Sequence, residues 1–287
     1  MDPRVSVIVP HYNDLSGLNA CLVALGTQSR RAHEIIVADN ASPQGQAAVV
    51  AAIAGRARLV VVHERGAGPA RNGAVRDATG DILAFTDSDC IPDPDWLANG
   101  LAALDGCDFA GGRMRVLVRD EAQLTAAEAF ERVFAFDNQH YVQRKAFTVT
   151  ANLFCPRATF DTVGGFKVGV PEDLEWCLRA KAMGFRIGYA EKAIVGHPAR
   201  RTWAEIERKW ARLNEEAFGL ETAKPGGRLR WLAKALAMPA TAIFHSPKVL
   251  TTPSLTRTTE RVAALGLLYR LRLWRGLNAI GLMNSRR

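Results

Sequence analysis

The chain has 287 residues, 48% hydrophobic and 23% charged, which is enough for one large globular domain with an appendage or for two modest domains, and which excludes a disordered chain. The five cysteines show no Cys-x-x-Cys spacing, so neither a disulfide framework nor a zinc site is indicated, and we expect reduced, cytosolic thiols. The N-terminus lacks the long apolar region of a signal peptide, so secretion by that route is not expected.

The formal net charge of +8 resides in the C-terminal part of the chain. From Lys224 onward there are 12 Lys or Arg and one acidic residue, Glu260, which gives this segment a charge of +11. Arginines within its Leu-rich stretches argue against a membrane-spanning helix and favour helices that lie in an anionic membrane interface. A helical subdomain that covers the core or mediates dimers fits the same pattern. No recognisable nucleic-acid-binding module is present, so we expect no nucleic-acid partner.

In chain order, short apolar runs alternate with helical patterns in the first part of the sequence. Strands are predicted at residues 5–9, 34–38, 59–62 and 82–85. Four strands alternating with helices predict a parallel sheet. Because the carboxyl ends of parallel strands meet at one edge of a sheet, the loops carrying Tyr12, Asp39 and Asp87 are expected to border one crevice.

Two carboxylates one residue apart, Asp87 and Asp89, follow the fourth predicted strand. In an extended segment residues i and i+2 point to the same side, so the pair can converge on one cation or on a metal-bound diphosphate. A divalent ion would relieve their mutual repulsion. An acidic turn before a helix that starts at Pro94 fits the same residues, and this stretch alone leaves both interpretations open.

Three further residues are candidates for the same crevice. Tyr12 can stack on a base and Asp39 can accept from a ring N–H, although a half-buried loop aromatic and a turn cap are equally compatible. In Gly66-Ala-Gly68-Pro-Ala-Arg71 the third glycine of the dinucleotide fingerprint is replaced by Arg71, which excludes a Rossmann dehydrogenase. Arg71 suits bidentate binding of a diphosphate or a base carbonyl, or is a solvated helix arginine.

A second group of candidates lies between residues 171 and 197. Glu172 and Asp173 stand at the start of a predicted helix, where acids cap the helix or where a carboxylate can serve as a general base. His197 follows two short predicted strands, at residues 187–190 and 193–195, and is either structural or a metal ligand.

Together these segments resemble the family 2 glycosyltransferases, the large inverting group with the GT-A fold. The resemblance runs from Val5 to about His197 and rests on Val-Ser-Val-Ile-Val-Pro-His-Tyr-Asn, Glu-Ile-Ile-Val-Ala-Asp-Asn-Ala-Ser, Gly-Pro-Ala-Arg-Asn-Gly-Ala, Asp-Ile-Leu-Ala-Phe-Thr-Asp-Ser-Asp, Val-Gly-Gly-Phe, Pro-Glu-Asp-Leu-Glu-Trp and Val-Gly-His. It implies an α/β fold with a Rossmann-like mixed sheet flanked by helices. We therefore predict a GT-A catalytic domain over residues 1–200 and a helical, basic C-terminal region over residues 201–287.

The resemblance also implies roles for individual residues. A nucleotide site would be lined by Pro10, Tyr12, Asp39 and Arg71, Asp87 would contact the nucleotide sugar, Asp89 and His197 would hold Mg2+ or Mn2+, and Asp173 would be the catalytic base. The implied reaction transfers one sugar from a nucleoside-diphosphate sugar to an acceptor hydroxyl on a lipid-linked or envelope glycan precursor. The basic, apolar C-terminal segment predicts a cytoplasmic, peripheral location at the inner face of the membrane, and the oligomeric state stays open.

Two other functions compete with this one. A sugar nucleotidyltransferase also needs a nucleotide-binding α/β sheet and acidic metal ligands, but no glycine-rich triphosphate loop with a lysine follows the first strand. A catalytically silent scaffold at the membrane is the other alternative, and the presence of Asp87, Asp89 and Asp173 argues against it. The absence of a Gln-x-x-Arg-Trp signature favours transfer of a single sugar over polymer synthesis.

Overall fold

The computed structural model describes residues 2–284, and its contacts divide the chain into two compact units. One unit, with the α/β elements, comprises the chain up to Arg115 and the segment Phe136–His197. The other, largely helical unit comprises Val116–Ala135 and the chain from Pro198 onward. The predicted division into residues 1–200 and 201–287 stays a prediction.

Over the described residues, eight strands form one sheet, and the predicted mixed character of that sheet is confirmed. They are β1 (Val5–His11), β2 (Glu34–Asp39), β3 (Arg58–Val61), β4 (Ile82–Phe85), β5 (Ile91–Pro92), β6 (Phe109–Leu117), β7 (Leu153–Pro156) and β8 (Ile187–Pro198), in the order β3-β2-β1-β4-β7-β6-β8-β5. The four strands predicted first pair in parallel, whereas β7 is antiparallel to β4 and β6, and β5 is antiparallel to β8. The two short strands predicted before His197 form a single strand, which continues through the exposed residues Glu191 and Lys192.

The helices are α1 (Leu15–Gly26), α2 (Gln46–Ile53), α3 (Ala67–Asp77), α4 (Trp96–Ala102), α5 (Ala126–Phe134), α6 (Asn138–Lys145), α7 (Arg157–Val163), α8 (Glu172–Ala182), α9 (Trp203–Thr222), α10 (Gly227–Ala237), α11 (Thr241–Thr251) and α12 (Thr258–Asn284). Capping boxes set the starts of α5 and α9: Thr125 pairs with Glu128 and Thr202 with Glu205.

The continuous apolar runs of the parallel strands follow from burial on both faces of the sheet. All seven residues of β1 are buried. Val7 and Val9 pack in one core cluster with Leu18 of α1, whereas Ile8 packs in the other with Ala70 of α3. Because β2 and β4 both pair with β1 in parallel, the carboxyl ends of these three strands lie at one edge of the sheet.

Asn152 is a fully buried polar residue that connects three segments of the α/β unit. Its Oδ1 accepts from Trp96 Nε1 at 2.9 Å, and its Nδ2 donates to the backbone oxygens of Arg113 at 3.0 Å and Ala193 at 2.9 Å. We expect Asn152→Ala to lower the free energy of unfolding by about 3 kcal/mol, because it leaves buried polar groups without partners. Denaturant titration checks this, with Asn99→Ala as a control that removes one partly exposed bond. Equal losses in the two variants would contradict it.

In the helical unit, arginines of α12 contact tryptophans of α9. Arg270 lies 4.0 Å from the ring centroid of Trp203, and Arg275 lies 4.0 Å from that of Trp210. Arg275 also donates to Asn214 Oδ1, and burial lowers its pKa to about 10. These contacts explain how arginines are accommodated within a Leu-rich helix. Over residues 2–284, none of the helices combines the length and the apolar character needed to cross a membrane.

Candidate active site

A cavity of about 760 Å³ lies at the carboxyl ends of the parallel strands, as the topology predicts. Among its lining residues are five of the predicted site residues, Pro10, Tyr12, Arg71, Asp87 and Asp89. Tyr12 is 60% exposed, so its ring is accessible to a ligand. Three predicted residues, Asp39, Asp173 and His197, are not among the residues that line this cavity.

Asp39 is buried behind the cavity wall and is only 2% exposed. Its carboxylate contacts His11 Nδ1 at 2.9 Å and accepts from the Ser42 hydroxyl at 2.5 Å and the Ser42 N–H at 3.0 Å. Because the Asp14 N–H donates to His11 Nε2 at 3.3 Å, the imidazole proton is on Nδ1 and is donated to Asp39. Asp39 thus fixes His11, which does line the cavity.

Asn40, which the sequence reasoning missed, holds the loop between β3 and α3. Its Nδ2 donates to the backbone oxygens of Val62 and Glu64 at 2.9 and 2.7 Å, and its Oδ1 accepts from the Gly66 N–H at 2.8 Å. Gly66 has a φ of 125°, a conformation that favours glycine, and precedes α3 as its cap. The position of Asn40 directly after a strand-end aspartate was the available signal.

Arg71 is a buried arginine between two carboxylates, which excludes the solvated-arginine interpretation. Its side chain is 3% exposed, with Nη2 2.5 Å from Asp87 Oδ1 and Nη1 2.9 Å from Glu172 Oε1. Burial acts against the charge, but the two carboxylates outweigh it and raise the pKa of Arg71 above its ordinary value. The guanidinium therefore joins the cavity to the first residue of α8.

Asp89 lines the cavity and lies beside His197. The antiparallel pairing of β5 with β8, with Ile91 opposite Gly196, brings His197 to this point, and its Nε2 is 3.4 Å from Asp89 Oδ2. Ligand atoms of Asp87, Asp89 and Cys90 all lie within 4.8 Å of one another. Burial, followed by the charge of Asp87, raises the pKa of the Cys90 thiol well above its ordinary value. With the thiol kept protonated, the carboxylate oxygens of Asp87 and Asp89 are the donors that suit Mg2+ or Mn2+, and the His197 imidazole lies next to Asp89.

Asp173 is the second residue of α8 and is partly buried. Burial and the adjacent Glu172 carboxylate raise its pKa to about 6, against the Leu174 N–H and the charge of Arg71, which lower it. Its Oδ1 accepts from that Leu174 N–H at 2.7 Å. A carboxylate with this pKa is ionised at neutral pH and is still basic enough to accept a proton.

Two residues of α3, Gly68 and Asn72, allow the start of α8 to lie close to α3. A side chain at Gly68 would place its Cβ 3.3 Å from Phe166 Cβ and 3.6 Å from Glu172 Cβ. Asn72 bonds the backbone N–H and C=O of Phe166 through its side-chain amide, both at 2.8 Å. Gly68 belongs to the segment in which Arg71 replaces the third glycine of the dinucleotide fingerprint. Here this glycine allows α8 to lie close to Arg71.

Known proteins share this fold and this sequence pattern. A mannosyltransferase from Pyrobaculum calidifontis, PcManGT, solved in complex with GDP-Man and Mn2+, superposes with a TM-score of 0.61 at 22% identity, covering 98% of this chain and 86% of that one. The fold is therefore that of the GT-A glycosyltransferases. Glycosyltransferase AglE from Haloferax volcanii is 29% identical over 223 residues, 74% of this chain and 72% of that protein.

A pre-mycofactocin glycosyltransferase from Mycobacterium tuberculosis is 29% identical over 214 residues, and the match covers 69% of this chain but only 44% of that longer protein. The profile described as "Glycosyl transferase family 2" matches residues 6–166, more than half of the chain. The chain belongs to the family 2 glycosyltransferases and is a glycosyltransferase enzyme. This membership decides against the nucleotidyltransferase alternative.

Proposed function

We propose that the chain is a metal-dependent, inverting glycosyltransferase that moves a single sugar from a nucleoside-diphosphate sugar to a hydroxyl of a lipid-linked or envelope glycan precursor. The observation that carries the proposal is the pairing of Arg71 with two carboxylates. One is Asp87, and the other is Glu172, the neighbour of Asp173 at the start of α8. Asp87 borders the cavity, and α8 presents Asp173 with a pKa of about 6.

The cavity residues supply donor binding. The accessible ring of Tyr12 stacks on the base, Pro10 shapes the wall beside it, and Asp39 contributes through the His11 imidazole that it orients. Arg71 and Asp87 form the part of the wall that faces the diphosphate and the sugar. A cavity of about 760 Å³ is large enough for a ligand of nucleotide-sugar size.

Asp89 and His197 would hold Mg2+ or Mn2+ at the edge of this cavity. When bound, the ion supplies charge neutralisation for the diphosphate that departs. Asp173 removes the proton from the acceptor hydroxyl, whose oxygen forms a bond to the anomeric carbon as the bond from that carbon to the diphosphate oxygen breaks. One displacement inverts the anomeric configuration.

The direct test is a panel of GDP- and UDP-sugars, incubated with the full chain and either Mn2+ or a chelator, and scored for nucleotide binding and donor hydrolysis. Binding of at least one donor, with hydrolysis that is lost on chelation and restored by added metal, is the expected result. Failure of every donor to bind would reject the proposed function, and binding that is indifferent to the chelator would reject its metal dependence.

The helical unit supports the proposed contact with a membrane surface on the cytoplasmic side. Exposed apolar side chains on α10–α12 include Leu229, Leu236, Ile243, Phe244, Leu250, Val262, Tyr269, Leu273 and Leu277. Exposed basic residues lie among them, and the single acid of the segment, Glu260, is buried. Exposed apolar and cationic side chains without exposed carboxylates are typical of helices that lie on anionic bilayers.

We expect the double substitution Phe244→Ser and Leu229→Ser to weaken binding to phosphatidylglycerol vesicles by about tenfold or more, because these residues are 81% and 74% exposed and would enter the interface. Co-sedimentation measures it, with phosphatidylcholine vesicles as the uncharged comparison. Val168→Ser, at a 58% exposed residue of the α/β unit, is the matched control. Undiminished sedimentation, or a change from dimer to monomer in size-exclusion chromatography, would favour a protein interface instead.

A further inference from the structure

Glu172 occupies a position that the proposed donor and base roles do not use. Its Oε1 is 2.9 Å from Arg71 Nη1, while the other terminal nitrogen of Arg71 is 2.5 Å from Asp87 Oδ1. The third nitrogen of the guanidinium, Nε, is buried and has no hydrogen-bond partner. The orientation of Arg71 is therefore set by two carboxylates, one on each side.

The backbone around Glu172 is held firmly enough for this contact to be specific. Gly68 permits the Cβ of Glu172 to approach α3, and Asn72 fixes Phe166, which lies under the Arg71 guanidinium at 6.0 Å from the ring centroid. Next along α8, Asp173 is affected by the charges on both sides of the same bridge. The two carboxylates of the bridge, Asp87 and Glu172, thus contact one rigid, planar group.

We propose that Glu172 is a positioning residue that holds Arg71 against Asp87 and so links donor binding in the cavity to the base at the start of α8. The inference rests on the proposed glycosyl transfer and adds a residue to it. Glu172 touches neither the sugar nor the acceptor in this role. It acts through Arg71 on the donor side and through its own charge on Asp173.

Several charged and titratable groups interact with Asp173. Glu172 adjoins it on α8, Arg71 faces it from α3 and Asp87 from the end of β4, and it acts in turn on Tyr141 of α6 and Cys177 of α8. Of these, Glu172 has the largest effect after burial itself. Loss of its charge is therefore expected to ease ionisation of Asp173.

The test compares Glu172→Gln with Glu175→Gln in the full chain. Glu175 is the same residue type in the first turn of α8, but it pairs with Lys167 and Arg179 instead of Arg71. We expect Glu172→Gln to weaken Mn2+-dependent binding of GDP or UDP by about tenfold, because the ion pair with Arg71 is replaced by a weaker hydrogen bond to a neutral acceptor. The acid limb of the pH–turnover profile is expected to move to lower pH. Glu175→Gln should change neither quantity by more than about twofold in affinity or a few tenths of a pH unit.

Glu172→Asp, which keeps the charge, should return the acid limb towards its wild-type position, a recovery that a merely structural role would not produce. If Glu172→Gln and Glu175→Gln behave alike while wild type binds nucleotide and turns over donor, the positioning role is wrong and the proposed function stands. If wild type binds neither GDP nor UDP with Mn2+, the proposed function is wrong, and the positioning role with it. Calorimetry for binding and circular dichroism for folding separate these outcomes.

Discussion

Asp173→Asn is expected to lower turnover by about 10²–10⁴-fold while nucleotide binding changes by less than about threefold, because the substitution removes a general base and keeps the shape of the side chain. With wild type, turnover should fall as the pH drops through about 6, where Asp173 gains its proton. Single-turnover assays with radiolabelled donor measure the first effect, and a pH series measures the second. Asp161→Asn, on the exposed surface of α7, is the matched control.

Although Asp173→Asn is expected to lower turnover, we expect it to raise the stability of the folded protein at pH 8. The pKa of Asp173 is raised from 3.8 to about 6, so the folded state binds the proton more tightly than the unfolded state does. The resulting contribution to stability is fully present below pH 3.8 and is lost as the pH rises through about 6. Asp173→Asn should therefore unfold at a higher temperature than wild type at pH 8, with the difference vanishing towards pH 4. An inactive variant that is also less stable at pH 8 would contradict this account of the site.

Asp89→Asn is expected to abolish Mn2+-dependent nucleotide binding, with an affinity loss of about a hundredfold, because it removes an anionic oxygen ligand from the proposed metal position. His197→Ala should cause a smaller loss, since an imidazole at 3.4 Å from Asp89 both contributes a ligand and orients that carboxylate. Isothermal titration with UDP or GDP, at several Mn2+ concentrations, measures both effects.

Asp95→Asn serves as the control for Asp89→Asn. Asp95 is exposed, lies six residues further along the same segment and bonds the Ser29 hydroxyl, so its loss should leave nucleotide affinity unchanged. If Asp89→Asn retained wild-type affinity at every Mn2+ concentration, the metal position assigned to Asp89 would have to be abandoned. If affinity fell equally with and without Mn2+, Asp89 would contact the nucleotide directly.

The sequence by itself determined the parallel half of the sheet and the edge at which the site lies. Strands buried on both faces must be continuously apolar, so β1 and β4 are legible as runs that end in polar residues. Those polar residues, among them Tyr12 and Asp87, then share a sheet edge by topology alone. The helical, basic character of the chain after Lys224 was equally legible, because it depends on composition and periodicity.

Only the tertiary structure decided which of these residues line the cavity and which lie behind its wall. Asp39 has the sequence features of a ligand contact, yet it is buried against His11 and Ser42, and its pairing with His11 on the neighbouring strand leaves no local signal. The bridge from Glu172 to Arg71 joins residues 101 positions apart, and the pairing of β5 with β8 brings His197 to Asp89. Local patterns fix the identity and face of each residue, whereas contacts distant in the sequence depend on how the elements pack, and packing is a property of the whole fold.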